Sequence, residues 1–105
     1  MTQQVLIICG AGASSGFLGA AARKAAKKQK EDIKFKAVSE TELNDYLNDT
    51  DLLLVAPHLK YMIDEVKEDC EKLNVKYGVI PQMIYGAMDG KGILKLAKEY
   101  LEGEK

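Results

Sequence analysis

Four short apolar runs, each parted from the next by a segment of helical spacing, constrain this chain more than any other feature. The runs are Gln4 to Cys9, Ile33 to Val38, Asp51 to Ala56 and Val75 to Ile80. All have strand length and are rich in branched side chains. Between them, a first helix is expected from Ser14 or Ser15 to about Gln29, with Phe17, Leu18, Ala21, Ala22 and Ala25 on one face. A short second helix is expected over Glu40 to Leu47, capped by Ser39 or Thr41. A third, Leu59 to Leu73, repeats Leu59, Met62, Ile63, Val66, Cys70 and Leu73 at helical spacing. A helical turn through Tyr85 and a last helix from about Gly92 to Leu101 complete the chain. Strands joined by helices run parallel, because only antiparallel neighbours can be joined by a tight turn. The expected fold class is α/β: a single open four-stranded parallel sheet with helices on both faces, in one domain spanning 1–105.

Strand order follows from which runs tolerate charge. Leu52-Leu53-Leu54-Val55 and Val5-Leu6-Ile7-Ile8 are unbroken apolar, as strands covered on both faces must be. The second and fourth runs contain Lys34, Lys36 and Lys76, which suits edge strands. With right-handed crossovers the order is 2-1-3-4. The winding direction then reverses between strands 1 and 3, and open α/β sheets bind ligands there, beyond the carboxyl ends of the strands. Cys9 and the residues after it lie at that point, as does Ala56-Pro57-His58.

The stretch after Cys9 is chemically specific. Gly10, Ala11, Gly12, Ala13, Ser14, Ser15 and Gly16 are all small and lead directly into a helix. A strand, a small-residue loop and a helix N-terminus form an anion cradle, because successive N–H groups converge and the helix dipole adds positive charge. A thiol at the mouth of such a cradle ionises more readily than a free one. The arrangement suits a cysteine nucleophile aimed at a phosphoryl group, with a phosphatase-like phosphate loop after strand 1. A dinucleotide fingerprint fails because Gly10-Ala11-Gly12 is followed by Ser15 where the third glycine belongs, although Glu40 stands roughly where a ribose-binding acid would. A Walker A loop fails for want of Gly-Lys-Ser/Thr. A phosphatase would carry, six positions after its cysteine, an arginine that clamps two phosphate oxygens; that position is Ser15. The loop suits a carrier better than a hydrolase.

Composition narrows the partners. A net charge of -1 carries no nucleic-acid signature. No stretch approaches membrane-spanning length and no basic-then-apolar leader opens the chain, so a cytoplasmic protein without membrane insertion is expected. Two cysteines, Cys9 and Cys70, are too few for a disulfide scaffold, and no Cys/His cluster suggests a metal.

Over essentially its whole length the sequence resembles the IIB component of the lactose/cellobiose branch of the phosphoenolpyruvate-dependent sugar phosphotransferase system, of cellobiose/chitobiose type. The resemblance rests on Val5 to Ser15, on Leu53-Leu54-Val55-Ala56-Pro57 with Tyr61-Met62, and on Ile84 to Gly92. It implies that Cys9 takes the phosphoryl group from a phosphohistidine of a IIA partner. The group then passes to a sugar bound by a membrane IIC partner, such as the β-linked disaccharide cellobiose. It further implies that Gly10 to Gly16 hold the phosphate and that no cofactor or metal is needed. Gly10 and Gly16 stand where some relatives have serines, which removes hydroxyl contacts but leaves backbone N–H contacts. The competing class is a phosphatase- or arsenate-reductase-like cysteine enzyme; Ser15 in place of arginine argues against both. A redox enzyme would also want a resolving cysteine near Cys9.

Other residues have two readings each. Arg23, Lys24, Lys27, Lys28 and Lys30 form a solvated basic face or a docking surface for an acidic partner. Cys70 lies on an apolar helix stripe and reads as core. His58 reads as a loop or recognition residue before a proton-transfer one. Tyr61, Tyr85 and Tyr100 read as core or rim aromatics, with Tyr85 bordering a docking surface as its second reading. Asp89, between turn residues, reads as a structural acceptor for backbone N–H groups.

Overall fold

Each apolar run becomes a strand and each helical segment a helix in the computed structural model, which describes residues 3–9, 14–39, 42–87 and 89–103. The strands are β1 (Gln3–Cys9), β2 (Ile33–Ser39), β3 (Leu52–Val55) and β4 (Lys76–Val79). The helices are α1 (Ser14–Lys28), α2 (Leu43–Tyr46), α3 (Met62–Lys72), α4 (Gln82–Gly86) and α5 (Gly90–Leu101). All strand pairs are parallel and the sheet order is β2-β1-β3-β4, as the charge pattern required.

Burial on both sides explains the unbroken apolar runs. Val5, Ile7, Leu52 and Leu54 face one core with Leu18, Ala22, Ile93, Leu94 and Ala97, beneath α1 and α5. Leu6, Ile8, Leu53 and Val55 face a second core with Leu43, Met62, Val66 and Cys70, beneath α2 and α3. Alternate residues of one strand thus serve opposite layers. Each full burial of a Leu- or Ile-sized side chain stabilises by about 1.5–3 kcal/mol. The edges are guarded: the Arg23 guanidinium donates to the Phe35 carbonyl of β2 at 3.0 Å, and the Lys36 ammonium lies 3.9 Å from the Tyr46 ring centre.

Three helix boundaries differ from the sequence expectation. The second helix is only α2, followed by a 3₁₀ turn over Leu47–Asp49, with no side-chain cap at its N-cap, Glu42. There the Thr50 hydroxyl, on a buried residue, donates to the Tyr46 carbonyl at 2.8 Å and draws the chain into β3. The third begins later than Leu59, because Pro57–Leu59 forms a separate 3₁₀ turn with Pro57 at its start. Leu73, expected on its apolar stripe, lies just beyond α3 and is exposed. The last helix begins earlier than Gly92: the Asp89 carboxylate accepts from the Gly92 N–H at 3.0 Å, capping α5 at Gly90. That bond is the backbone role expected of Asp89.

Candidate functional site

The carboxyl end of the sheet gathers what the sequence nominated. Cys9 is the last residue of β1, paired across to Ser39 of β2. On its other side β1 lies against β3, with Ile8 in register with Val55 and the Ala56 N–H donating to the Ile8 carbonyl at 2.9 Å. Cys9 therefore ends a central strand at the place where the winding reverses. Ser14 already belongs to α1, so the chain passes from strand to helix across Gly10, Ala11, Gly12 and Ala13 alone. Those four residues lie outside the described ones. Ser14, Ser15 and Gly16 occupy the first turn of α1, whose N–H groups have no earlier turn to bond. The helix start expected at Ser14 or Ser15 falls at Ser14.

Two further segments leave the same end of the sheet, one after β3, which neighbours β1, and one after β4, the next strand out. After β3, Ala56 leads into the 3₁₀ turn Pro57–Leu59, closed by the Leu59 N–H on the Ala56 carbonyl at 2.9 Å. This turn holds His58 exposed to solvent. After β4, Pro81 starts α4, whose Ile84 and Tyr85 N–H groups donate to the Pro81 carbonyl at 3.1 and 3.0 Å. Tyr85 is half-buried and packs against both cores, so its ring has a fixed place. The His58 imidazole meets it edge-on, with centroids 5.6 Å apart and planes at 60°. Sequence reading placed both residues on the rim but not against each other, because the contact joins turns from different strands.

The rim also carries exposed apolar surface. Tyr61 is 59% and Met83 86% exposed. Met83 was not singled out from the sequence; its place just past Pro81, where the strand has ended, was the available signal.

The second cysteine is of a different kind. Cys70 lies fully buried on α3 within the second core. Burial, together with the neighbouring Asp69 and Glu71 charges, raises its thiol from 9.0 to about 11. It is a neutral packing group at any ordinary pH, as its spacing suggested. Among the described residues no group of His, Cys, Asp or Glu could hold a metal ion, and no helix is long and apolar enough to cross a membrane.

Similarity to known proteins follows the same elements. The family described as "PTS system, Lactose/Cellobiose specific IIB subunit" matches residues 4–96. The oligo-beta-mannoside-specific EIIB component of Bacillus subtilis is 25% identical over 85% of this chain and 86% of its own length. The solution structure of a cellobiose-specific IIB component from Borrelia burgdorferi superposes with a TM-score of 0.80 at 26% identity, covering 100% of this chain and 96% of that one. The lactose-specific IIB domain from Streptococcus pneumoniae gives a TM-score of 0.87 at 20% identity, over 95% and 98%, and shows the shared fold. The lactose-specific EIICB component of Staphylococcus epidermidis is 29% identical over 90% of this chain, which spans only 17% of that longer protein.

Proposed function

The chain belongs to the family of lactose/cellobiose-specific IIB subunits of the phosphotransferase system, and we propose that it carries the phosphoryl group on Cys9. It is a phosphotransferase component of that system. In the proposed cycle the Cys9 thiolate attacks the phosphorus of a phosphohistidine on a IIA partner. The S–P bond forms, the N–P bond breaks, and the imidazole leaves. A hydroxyl of a sugar held by a membrane IIC partner then attacks the same phosphorus. The O–P bond forms, the thiolate departs, and the hydroxyl proton is lost to a base on the acceptor side. Gly10 to Gly16 hold the phosphoryl oxygens through backbone N–H groups and the start of α1, and this needs no metal. The work takes place in the cytoplasm, at the inner face of the membrane through IIC. The acceptor is a β-linked disaccharide such as cellobiose, in keeping with the sugars that name the relatives.

One observation supports this reading above the others: Cys9 ends a central strand at the reversal of winding, and a helix starts five residues later. The rim of Pro57 to Tyr61 and of Tyr85 and Gly86 lies beside it. Tyr61 and Met83 offer apolar anchors of the kind interfaces use. IIA and IIC, which must each reach Cys9, would use this rim in turn.

The test is phosphorylation by a phosphorylated IIA of the cellobiose class, read by intact-protein mass. Wild type and Cys70→Ser gain one phosphoryl group and Cys9→Ser gains none. A Cys9→Ser protein that is still phosphorylated sinks the assignment. Turnover of an aryl phosphate by wild type would favour a hydrolase instead.

A further inference from the structure

The two helical layers carry opposite charge, although the chain is nearly neutral overall. Lys24, Lys27 and Lys28 of α1 and Lys91, Lys95 and Lys98 of α5 stand on one layer, all exposed except the half-buried Lys98. The acids on that side are fewer. Glu31 takes Lys98 at 3.2 Å, Glu99 and Glu102 lie at the end of α5, and Asp89 is engaged at its cap. The opposite layer bears Glu42, Asp45, Asp49, Asp64, Glu65, Glu68, Asp69 and Glu71 against Lys36, Lys60, Lys67 and Lys72. A recess of about 450 Å³ runs between α1 and α5, floored by Ala21, Ala25, Ala87 and Gly90 and flanked by Lys24, Lys28 and Lys91, with Asp89 at its side.

From this asymmetry we propose that the α1/α5 layer rests on an anionic bilayer surface, its lysines among the lipid phosphates. Three observations select a bilayer over an acidic protein. Apart from Arg23, whose guanidinium donates to the Phe35 carbonyl, the cations are lysines spread over two helices, point charges suited to diffuse attraction, whereas planar forked recognition of a carboxylate motif favours arginine. Among the described residues the exposed large apolar side chains are Tyr61, Leu73 and Met83, none of them on α1 or α5. A protein interface wants such anchors, and among the described side chains they stand on the rim near Cys9 and not on this layer. The recess floor is made of small side chains, which admit a phosphodiester headgroup between lysines. Attachment is at the surface, without insertion. The acidic layer faces away, so the same field that draws one face repels the other and fixes orientation. The sheet then lies flat to the membrane with the carboxyl ends of its strands pointing along the surface.

Vesicle co-sedimentation tests this without involving Cys9, so its outcome is independent of the phosphorylation reading. The wild-type chain is mixed with vesicles of phosphatidylcholine alone, or with about one-third phosphatidylglycerol, at about 0.1 M NaCl. The expected result is binding at least about tenfold stronger to the anionic vesicles. It is lost at about 0.5 M NaCl, where the screening length falls to roughly 4 Å. Lys24→Glu with Lys91→Glu weakens binding about tenfold or more, whereas Lys67→Glu with Lys72→Glu, the same charge change on the other layer, leaves it in place. Circular dichroism checks that both variants fold, and Lys24→Gln with Lys91→Gln is the milder substitute. Failure of wild type to prefer anionic vesicles overturns the proposal, as does equal loss in the two double variants. Retention of a glutamate-rich peptide without vesicle binding would assign the layer to an acidic protein instead.

Discussion

The α1/α5 layer and the α2/α3 layer cover opposite faces of one sheet, yet they are packed by different means. The first is a contact between helices. At Gly90 an added Cβ would lie 2.3 Å from the Ala21 carbonyl oxygen, so α5 rests directly on the α1 backbone. α1 supports this with Ala22, Ala25 and Ala26, all small and buried in the same core as Ile93, Leu94 and Ala97 of α5. The second layer is packed side chain to sheet, with Leu43, Met62, Val66 and Cys70 filling space over β1 and β3. Close approach leaves no room to adjust, whereas a layer of larger side chains can relax around a loss. One layer should therefore be brittle to added atoms and the other tolerant of removed ones.

Gly90→Ala is the sharpest way to break that contrast. It should destabilise by about 3 kcal/mol, because the obstacle is backbone and cannot rotate away. Met62→Ala, which empties space in the second layer, should cost about 2 kcal/mol. Denaturant unfolding of both measures this, and a Gly90→Ala protein as stable as wild type would end the distinction.

The next test concerns Cys70. Its folded thiol titrates near 11 against 9.0 in the open chain. A raised pKa means the fold favours the neutral form. The contribution is fully present below pH 9 and is lost as pH climbs through 9 to 11, where the unfolded chain ionises first. Wild type should lose about 2 kcal/mol more than Cys70→Ala over that window, since one pKa unit is worth about 1.4 kcal/mol. Parallel pH profiles for the two proteins would show instead that this layer admits charge freely.

A smaller effect joins β4 to the first layer. The Lys76 ammonium donates to the Tyr100 and Leu101 carbonyls at 3.0 Å each, closing the C-terminus of α5 with a positive charge. Lys76→Met should cost about 1 kcal/mol, and a stability loss that vanishes in high salt would identify the dipole share.

The smallest effects compare how the layers end their helices. Lys30 after α1 and Asn74 after α3 both hold φ at 58°, the left-handed region. Both helices close in the same way, with the Glu31 N–H on the Ala26 carbonyl at 2.9 Å and the Val75 N–H on the Cys70 carbonyl at 2.8 Å. Asparagine tolerates this conformation better than lysine. Lys30→Gly should stabilise by about 0.5–1 kcal/mol, and Asn74→Gly by less. Thermal melts of the two variants check the order.

The sequence was most legible where a pattern repeats over one element. Unbroken apolar residues marked β1 and β3 as central, and lysines marked β2 and β4 as edges, because only a strand covered on both faces must exclude charge. Cys9 stood out because the residues after it are all small and precede a helix. The conformation of Gly10 to Ala13 lies outside the described residues, so the cradle itself rests on sequence. The helix starts were misjudged where a local feature competes with periodicity: Pro57 sets a 3₁₀ turn, and the Asp89 cap pulls α5 back to Gly90.

Taken alone, the sequence determined the elements and their order in the sheet and placed Cys9 at the end of the first strand, because period and charge tolerance act within single segments. Tertiary structure alone decided that Gly90 seats α5 on α1, that His58 meets Tyr85, and that lysines from two distant segments form one face. These depend on which surfaces meet once each strand has buried both of its sides, and no local pattern encodes a distance between residues far apart in the chain.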